Sequence, residues 1–293
     1  MKTGSIPPRW QSSMANDTLS AKLYLCATPI GNLEDITLRC LRVLRGAEAV
    51  YCEDTRNTLK LMNHFEIKKT LISCHEHNEE QRANEIADRV RRGEAIAFVS
   101  DAGMPGVSDP GSRLVRFFVE NDLPFEVLPG ANAVLTAWVM SGLPTDALYF
   151  CGFLPRSGAE RAEAIAWIKN CSATAVLYES PHRVGATFTE FAEFFPQREC
   201  ALVREITKSY EQVVRGTAAE LAERYSQTEA KGECVIVISP CETKTKADDS
   251  KIRETIRLLL KAGVGAKSTA KITADLLGVA KNEAYKIVLE LST

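Results

Sequence analysis

The first half of the chain alternates short runs of β-forming residues with stretches of helical periodicity. Five apolar runs predict strands, at residues 23–26, 49–52, 70–73, 95–99 and 125–128. Helices are expected between them: one with Ile36, Cys40, Val43 and Leu44 on a single face, then others over 55–63, 77–92, 110–120 and 131–140. This alternation predicts an α/β fold whose mostly parallel sheet is covered by helices on both faces.

The pattern changes after the Gly-Leu-Pro sequence that begins at Gly142. Strands are predicted near residues 147–153, 174–179, 200–206, 210–215 and 234–238. Only residues 207–209 separate the third of these strands from the fourth, which favours a hairpin and therefore a mixed sheet. A helix after Pro181 is expected to bury one apolar face, formed by Val184, Phe188, Phe191 and Phe195.

The C-terminal segment has a third character. Residues 241–250 are polar and resemble a linker, and Ile252, Ile256, Leu259 and Leu260 then form one face of a helix closed by Gly263. Helices near 267–277 and 281–291, joined at Gly278, follow the helix-turn-helix pattern. Residues 241–293 hold 10 Lys and Arg against 7 Asp and Glu. This tail either docks RNA or packs as a helical cap.

Together these patterns predict four segments. They are a disordered leader (1–21), an N-terminal α/β domain (22–142), a second α/β domain (143–240) and a helical tail (241–293). The leader lacks the apolar core of a secretion signal and contains Met14 as an alternative start, and no run of 18 apolar residues occurs. A cytoplasmic protein without a membrane span is therefore expected.

Composition excludes some classes of protein. The chain has 36 basic and 38 acidic residues, which excludes a uniformly basic nucleic-acid coat protein but leaves room for a local basic patch. Its nine cysteines are odd in number and form no C-x-x-C pair, so neither disulfides nor a metal site are expected.

Glycine-containing loops follow three predicted strands of the first half, at residues 27–33, 100–106 and 129–132. Because carboxyl ends of parallel strands share one sheet edge, these loops predict a ligand pocket there, the alternative being simple tight turns. The familiar nucleotide motifs are missing. Gly263-Val264-Gly265 follows a helix rather than a strand, and residues 265–269 lack the glycine spacing of a P-loop.

Seven short motifs stand out along the chain: residues 28–33 (TPIGNL, with Asp35), 53–56 (EDTR), 75–79 (HEHNE), 100–111 (SDAGMPGVSDPG), 179–183 (ESPHR), 204–208 (REITK) and 232–233 (GE). Together they resemble the motifs of the ribosomal small-subunit methyltransferase I family, within the tetrapyrrole-methylase superfamily of enzymes that use S-adenosylmethionine (AdoMet). The resemblance covers about residues 22–290. It implies 2′-O-methylation of the ribose of a decoding-centre cytidine in 16S rRNA, within the small ribosomal subunit, by a homodimer.

The resemblance also implies two α/β domains with AdoMet in the cleft between them. The residues that it assigns to cofactor binding are Pro29, Gly31, Asp101, Gly103, Met104, Pro105, Gly130, Ala131 and Gly232. Residues 100–102 (Ser-Asp-Ala) stand where the superfamily has Gly-Asp-Pro, so only Asp101 carries over directly from that tripeptide.

Methyl transfer to a ribose hydroxyl needs a group that takes the hydroxyl proton. The candidates are His182, Glu179, Glu205 and Asp101, of which His182 is favoured as the base or as the group that orients the hydroxyl, with Glu179 beside it. Glu179 and His182 belong to the same motif, residues 179–183.

Five further residues are candidates for binding the RNA substrate. Arg56, Arg183 and Lys208 could contact phosphates, or could form ordinary ion pairs, for example with Glu179 or Glu211. His75 and Asn78 could contact an unstacked base or its ribose, or could cap the helix at 77–92. Two alternatives to the whole interpretation stay open: a corrin or siroheme-pathway C-methyltransferase of the same fold, and a non-catalytic nucleic-acid-binding regulator.

Overall fold

The computed structural model describes residues 18–241, 249–277 and 279–292. Most of the predicted leader 1–21 and most of the predicted linker 241–250 therefore lie outside the described residues, as does Gly278. The chain divides into two compact units, one within residues 1–166 and 174–239 and the other within 167–173 and 240–293. The first unit contains both β-sheets.

The first sheet has five parallel strands. They are β1 (Leu23–Cys26), β2 (Ala49–Cys52), β3 (Leu71–Ser73), β4 (Ile96–Val99) and β5 (Phe125–Leu128), in the spatial order β3-β2-β4-β1-β5. The predicted parallel sheet is confirmed. The order reverses between β1 and β4, and open α/β sheets bind ligands at the carboxyl ends of the strands beside such a reversal.

Alternate residues of the central strands enter two different cores. Cys26, Val50 and Val99 pack on one face of the sheet, whereas Tyr51 and Phe98 pack on the other. Because both faces are covered, the strands read as continuous apolar runs rather than as alternating ones.

Five helices accompany this sheet: α1 (Leu38–Gly46), α2 (Thr55–His64), α3 (Glu79–Arg91), α4 (Ser112–Glu120) and α5 (Ala133–Ser141), with a 3-10 turn at Leu33–Asp35. The predicted helices are confirmed within two residues. The assignment of Ile36 to the face of α1 is wrong, because the Thr37 hydroxyl caps the helix by accepting from the Cys40 N–H (3.0 Å).

The second sheet is mixed, as predicted. Its strands are β6 (Leu148–Phe153), β7 (Thr174–Glu179), β8 (Glu199–Arg204), β9 (Gln212–Thr217) and β10 (Cys234–Ile238), in the order β6-β7-β10-β8-β9. Only β6 and β7 are parallel. The β8–β9 hairpin has a longer loop than the sequence predicts, since Glu205 (φ 52°) and Thr207 (φ 65°) leave the extended conformation.

Three helices fall between the strands of the second sheet along the chain. They are α6 (Gly158–Asn170), α7 (Val184–Phe194) and α8 (Ala218–Gln227). Helix α5 follows β5 in the chain, but its Val134 and Ala137 pack against Val176 and Val203 of the second sheet. Helix α5 therefore belongs to the core of the second sheet, although it follows the last strand of the first sheet in the chain.

The second unit includes three C-terminal helices, α9 (Asp249–Lys261), α10 (Ala266–Leu277) and α11 (Lys281–Ser292). Ile252, Ile256, Ala270 and Val288 are buried together among them. The predicted tail helices are confirmed, although α9 begins inside the segment predicted as linker. In the described ranges, no helix combines the length and the apolar character needed to cross a bilayer.

A buried carboxylate holds the start of α4. Glu79, the first residue of α3, is 3% exposed, and its Oε1 accepts from the N–H groups of Gly111 (3.0 Å) and Leu114 (2.8 Å). These are N–H groups that a helix cannot pair internally, and they favour a negative charge. Glu79 therefore fixes the loop that leads from β4 into α4.

Replacing Glu79 with alanine is expected to lower the free energy of unfolding by about 2 to 3 kcal/mol, because two buried N–H groups lose a charged acceptor. Urea denaturation followed by circular dichroism measures the change. Glu120→Ala serves as the control, because Glu120 is the exposed last residue of α4, the helix whose start Glu79 holds. This variant should change the free energy of unfolding by less than about 1 kcal/mol. Equal effects of the two variants would contradict the capping role.

Candidate functional site

A cavity of about 360 Å³ opens at the carboxyl ends of the β1 and β4 strands, within the first unit. One wall is the loop after β4, residues 102–104 and 107–109. The opposite wall comes from the second sheet, with residues 178–181 at the end of β7 and residues 232–235 at the start of β10. Its size lies in the range of small-molecule sites.

Two close backbone contacts shape the cavity. Thr28 and Gly103 form an isolated antiparallel bridge with N–H to O distances of 2.9 and 3.0 Å, which ties the loop after β1 to the loop after β4. Gly31 lies so close to the β8–β9 loop that a Cβ there would be 2.6 Å from Thr207 Oγ1 and 2.8 Å from the Ile206 carbonyl oxygen. Glycine is therefore required at position 31 for the two halves to meet.

The cavity has the chemistry expected for an adenosine-containing, positively charged ligand. Ile30, Met104 and Val235 supply apolar surface for a flat heterocycle, and the Glu233 carboxylate supplies negative charge. Gly103 (φ 76°) brings main chain, rather than a side chain, to the wall. The residues present thus fit AdoMet, whose sulfonium is cationic.

The predicted cofactor residues divide into two groups. Gly103, Met104 and Gly232 line the cavity. The others belong to the loops that support it and are not among the lining residues: Pro29, Gly31, Asp101, Pro105, Gly130 and Ala131. The role of Asp101 is visible in its contacts, since its carboxylate accepts from the Asp54 N–H (3.1 Å) and from Asn57 Nδ2 (3.0 Å) at the start of α2.

The predicted catalytic residue Glu179 is held by its own neighbours. Its side chain is 0% exposed. Oε1 accepts from the Ser180 N–H (2.8 Å) and lies 3.3 Å from Arg183 Nε, while Oε2 accepts from the Thr187 hydroxyl (2.7 Å). These contacts assign Glu179 a structural role at the turn after β7, and its catalytic role stays a prediction.

His182 lies next to the cavity rather than in its wall. The lining residues of the described chain include Ser180 and Pro181 but not His182, whose side chain is 77% exposed. Its Nδ1 pairs with the carboxylate of Glu229. This pairing orients the imidazole ring, and the proposed part of His182 in catalysis stays a prediction.

The three cations predicted to bind RNA phosphates differ in how far they are already engaged in ion pairs and hydrogen bonds. Arg183 forms the ion pair with Glu179 and donates to the carbonyl oxygens of Leu154 and Pro155. Lys208 Nζ lies 3.0 Å from Glu205 and 3.1 Å from Glu233.

Arg56 is the most exposed of the three, with 86% of its side chain accessible. Among the described residues its ion-pair partner is Asp54, whose pKa the Arg56 guanidinium and N–H lower to about 2.

Asn78 and His75 form a closed turn before α3. The Asn78 Oδ1 accepts from the His75 N–H (2.8 Å), and its Nδ2 donates to the Ser73 carbonyl (3.3 Å). Asn78 therefore shapes the turn that precedes the helix. It occupies the N-cap position, but its side chain makes no capping hydrogen bond, so the alternative in which it caps the helix is wrong. His75 Nδ1 is buried and has no hydrogen-bond partner among the residues that the structure describes.

Among the cavity-wall residues that sequence reasoning missed, three carry chemistry of their own: Asp109, Phe153 and Tyr178. Burial and the charge of Glu53 raise the pKa of Asp109 to about 6. Phe153 is 58% exposed, and its ring centroid lies 5.4 Å from that of Tyr178. Asp109 was visible in the 100–111 motif, but nothing in its spacing separates it from Asp101. The aromatic residues lie inside strands that read as core.

Comparisons with known proteins agree with this geometry. A family model described as tetrapyrrole (corrin/porphyrin) methylases matches residues 22–222. The chain is 40% identical to the ribosomal RNA small subunit methyltransferase I of Halalkalibacterium halodurans, over 90% of this chain and 93% of that protein. It is 38% identical to the protein of the same name from Neisseria meningitidis serogroup B, over 94% and 95% of the two chains.

A solved structure shares the fold. The uroporphyrin-III C-methyltransferase of Thermus thermophilus, complexed with S-adenosyl homocysteine, aligns with a TM-score of 0.54 at 20% identity. The alignment covers 74% of this chain and 97% of that structure. The α/β architecture with additional C-terminal helices is confirmed.

Replacing Glu179 with glutamine is expected to lower the free energy of unfolding by about 2 to 3 kcal/mol, since Arg183 and the Thr187 hydroxyl then face an amide instead of a carboxylate. Urea denaturation measures this loss. The control is Glu229→Gln at the exposed partner of His182, for which less than about 1 kcal/mol is expected. Unchanged stability together with abolished methyl transfer would instead support a catalytic Glu179.

Proposed function

We propose that this chain, which belongs to the ribosomal RNA small subunit methyltransferase I family of tetrapyrrole methylases, methylates the ribose 2′-hydroxyl of a decoding-centre cytidine in 16S rRNA. The observation that carries the proposal is the identity of 40% over nine-tenths of the chain to a relative named for rRNA methylation. The cavity provides a place for that chemistry. The family resemblance seen in the motifs is confirmed.

AdoMet is the methyl donor, and it supplies an activated methyl group on a positively charged sulfur. The task of the protein is then to position donor and acceptor. Gly103 and Gly232 would bring backbone close to the cofactor, and Met104 would contact it directly. Pro29, Gly31, Asp101, Pro105, Gly130 and Ala131 would act by holding the surrounding loops.

The rim of the cavity suits an unstacked nucleotide. Sequence-specific RNA readout usually takes single-stranded bases and stacks them on aromatic rings. Phe153 offers such a ring at the cavity, backed by Tyr178. Arg56 is placed on an exposed helix start, where it would meet RNA phosphate.

Four other predicted residues would act through the loops that they hold. Arg183 and Lys208 are engaged in ion pairs, and His75 and Asn78 form one turn. His182, at the edge of the cavity, would orient the ribose hydroxyl, and Glu179 would support the turn on which His182 lies.

The C-terminal helices would dock the small ribosomal subunit. Residues 241–293 have the basic balance of 10 against 7, while the rest of the chain is acidic. Because the substrate is ribosomal, the reaction would take place in the cytoplasm.

The alternative of a tetrapyrrole C-methyltransferase rests on the shared fold with the Thermus thermophilus enzyme. That likeness is at 20% identity, and about a quarter of this chain has no counterpart in that structure. Methylation of rRNA is therefore better supported than methylation of a tetrapyrrole.

A homodimer is proposed from helix α5. Val134 and Ala137 on one face are buried, whereas Leu135 and Val139, four residues apart on the other face, are exposed. Two large apolar side chains at this spacing form a stripe that a second copy would cover. The neighbouring strand β5 is an edge of its sheet.

Purified protein is expected to transfer radiolabelled methyl from AdoMet to 16S rRNA in small subunits from a strain that lacks the corresponding gene. Because a 2′-O-methyl group blocks alkaline cleavage, the label should appear in an alkali-resistant dinucleotide containing cytidine. Subunits from the parent strain, already methylated, are the control. Label on a base would overturn the 2′-O assignment, and label on a tetrapyrrole but not on RNA would favour the alternative.

The double substitution of Leu135 and Val139 by glutamate is expected to convert a dimer into a monomer, because charge on an apolar interface is costly to bury. Sedimentation velocity at micromolar concentration measures the mass. Val119→Glu, at an exposed apolar position of α4, is the matched control. A monomeric wild-type protein, or a double variant that is still dimeric, would reject this interface.

A further inference from the structure

We infer that Asp109 is the group that accepts the ribose hydroxyl proton during methyl transfer, an inference that rests on the proposed function. Its carboxylate belongs to the cavity wall formed by the loop after β4. Facing it from the second sheet is Tyr178, at the end of β7. Asp109 is thus a side chain of the site itself rather than of the supporting loops.

Three carboxylates occur among the described residues that line the cavity, and two of them have basic partners. Glu179 pairs with Arg183 and is fully buried. Glu233 pairs with Lys208 Nζ at 3.1 Å. Asp109 has no such cation in the described part of the chain, and the Ser100 hydroxyl is the polar group that lowers its pKa. A base must keep a lone pair available, and Asp109 meets this requirement best.

The loop that carries Asp109 is held in a strained conformation. Ser108 has φ 61°, a left-handed value that is costly for a residue with a Cβ. The loop closes on itself through the bond from the Gly106 N–H to the Pro110 carbonyl (3.0 Å). Such strain persists only where the surrounding structure holds the backbone in place. Here the strained Ser108 fixes the position of Asp109, the next residue in the chain.

Strand β6 of the second sheet packs against the same loop. Strand β6 has a register shift between Phe150 and Phe153, and Gly152 within it has φ 65°. A Cβ at Gly152 would lie 3.8 Å from Ser108 Oγ, so the irregular strand packs on the loop just before Asp109. The same irregularity brings Phe153 to the cavity, which places an aromatic surface and a carboxylate at one opening.

Burial and the neighbouring charges give the Asp109 carboxyl a pKa that suits a general base. Burial raises the pKa most, the charges of Glu53 and Asp101 raise it further, and the Ser100 hydrogen bond lowers it, with a result of about 6. Tyr178 stays a neutral phenol, because burial and the charges of Asp109 and Glu233 raise its pKa to about 12. A carboxylate with a pKa near 6 is ionised at neutral pH yet more basic than an ordinary aspartate.

The step balances without a further reactant. The hydroxyl oxygen forms a bond to the methyl carbon, and the methyl–sulfur bond breaks with its electron pair going to sulfur. The hydroxyl proton passes to the Asp109 carboxylate and afterwards to water. Proton removal matters because a neutral ribose hydroxyl is a weak nucleophile.

Asp109→Asn is expected to lower kcat by about 100-fold to 10,000-fold, the usual contribution of a general base. The Kd for AdoMet, measured by calorimetry, and the thermal midpoint should stay close to the wild-type values. Asp146→Asn, at an exposed position before β6, is the matched control and should keep full activity.

The pH dependence makes the test specific. Below pH about 6 protonated Asp109 cannot accept a proton, so wild-type kcat/KM, which reports the ionisation of the free enzyme, should fall tenfold for each pH unit below that value and level off above it. NMR titration of the ligand-free protein should find the same pKa for the Asp109 carboxyl. Glu53→Gln removes a repelling charge, so both the limb of the rate profile and the titration should move to lower pH.

The outcomes separate this inference from the proposed function. Unchanged kcat in Asp109→Asn, or a rate profile that keeps its acid limb in that variant, would overturn the inference while methylation itself stands. Loss of AdoMet binding in Asp109→Asn would overturn it too, by making Asp109 a cofactor-binding residue. Absence of RNA methylation by the wild-type protein would reject the proposed function.

Discussion

The close contact of the loop after β1 with the β8–β9 loop is the constraint on which the site depends. Gly31 brings the two main chains together, and the Asn32 N–H donates to Thr207 Oγ1 at 3.0 Å. Thr207 itself is in a left-handed conformation, so both partners are specialised for the approach. The loop after β1 is in turn bridged to Gly103 by two backbone hydrogen bonds, so hydrogen bonds connect the walls of the cavity.

Carboxylates that accept main-chain N–H groups recur throughout this region. Glu79 holds the start of α4, Glu179 holds the turn after β7, and Glu205 accepts from the Glu233 N–H at 2.9 Å. That bond and Lys208 lower the pKa of Glu205. Three of the sequence motifs therefore contain a glutamate whose observed hydrogen bonds hold a loop in place. Acidic residues in a motif are not by themselves evidence of acid–base chemistry.

Sequence reasoning predicted the fold well because the fold follows from local patterns. The strands of the first sheet are buried on both faces, so they read as apolar runs, and their helices have the expected stripes. Errors came where a cap or a left-handed residue ended an element, as at Thr37 and Glu205. The loops that carry the cavity were also identified, since glycines after parallel strands are a local signal.

The sequence by itself determined the two-sheet α/β organisation, the helical tail, the family and the loops that form the site. Only the tertiary structure decided which side chains of those loops enter the cavity. It engaged Glu179 and Lys208 in ion pairs and set His182 beside the wall, and it brought Asp109 and Phe153 into the wall. The reason is physical: periodicity fixes backbone elements over a few residues, whereas burial and charge at a side chain depend on elements far apart in the chain.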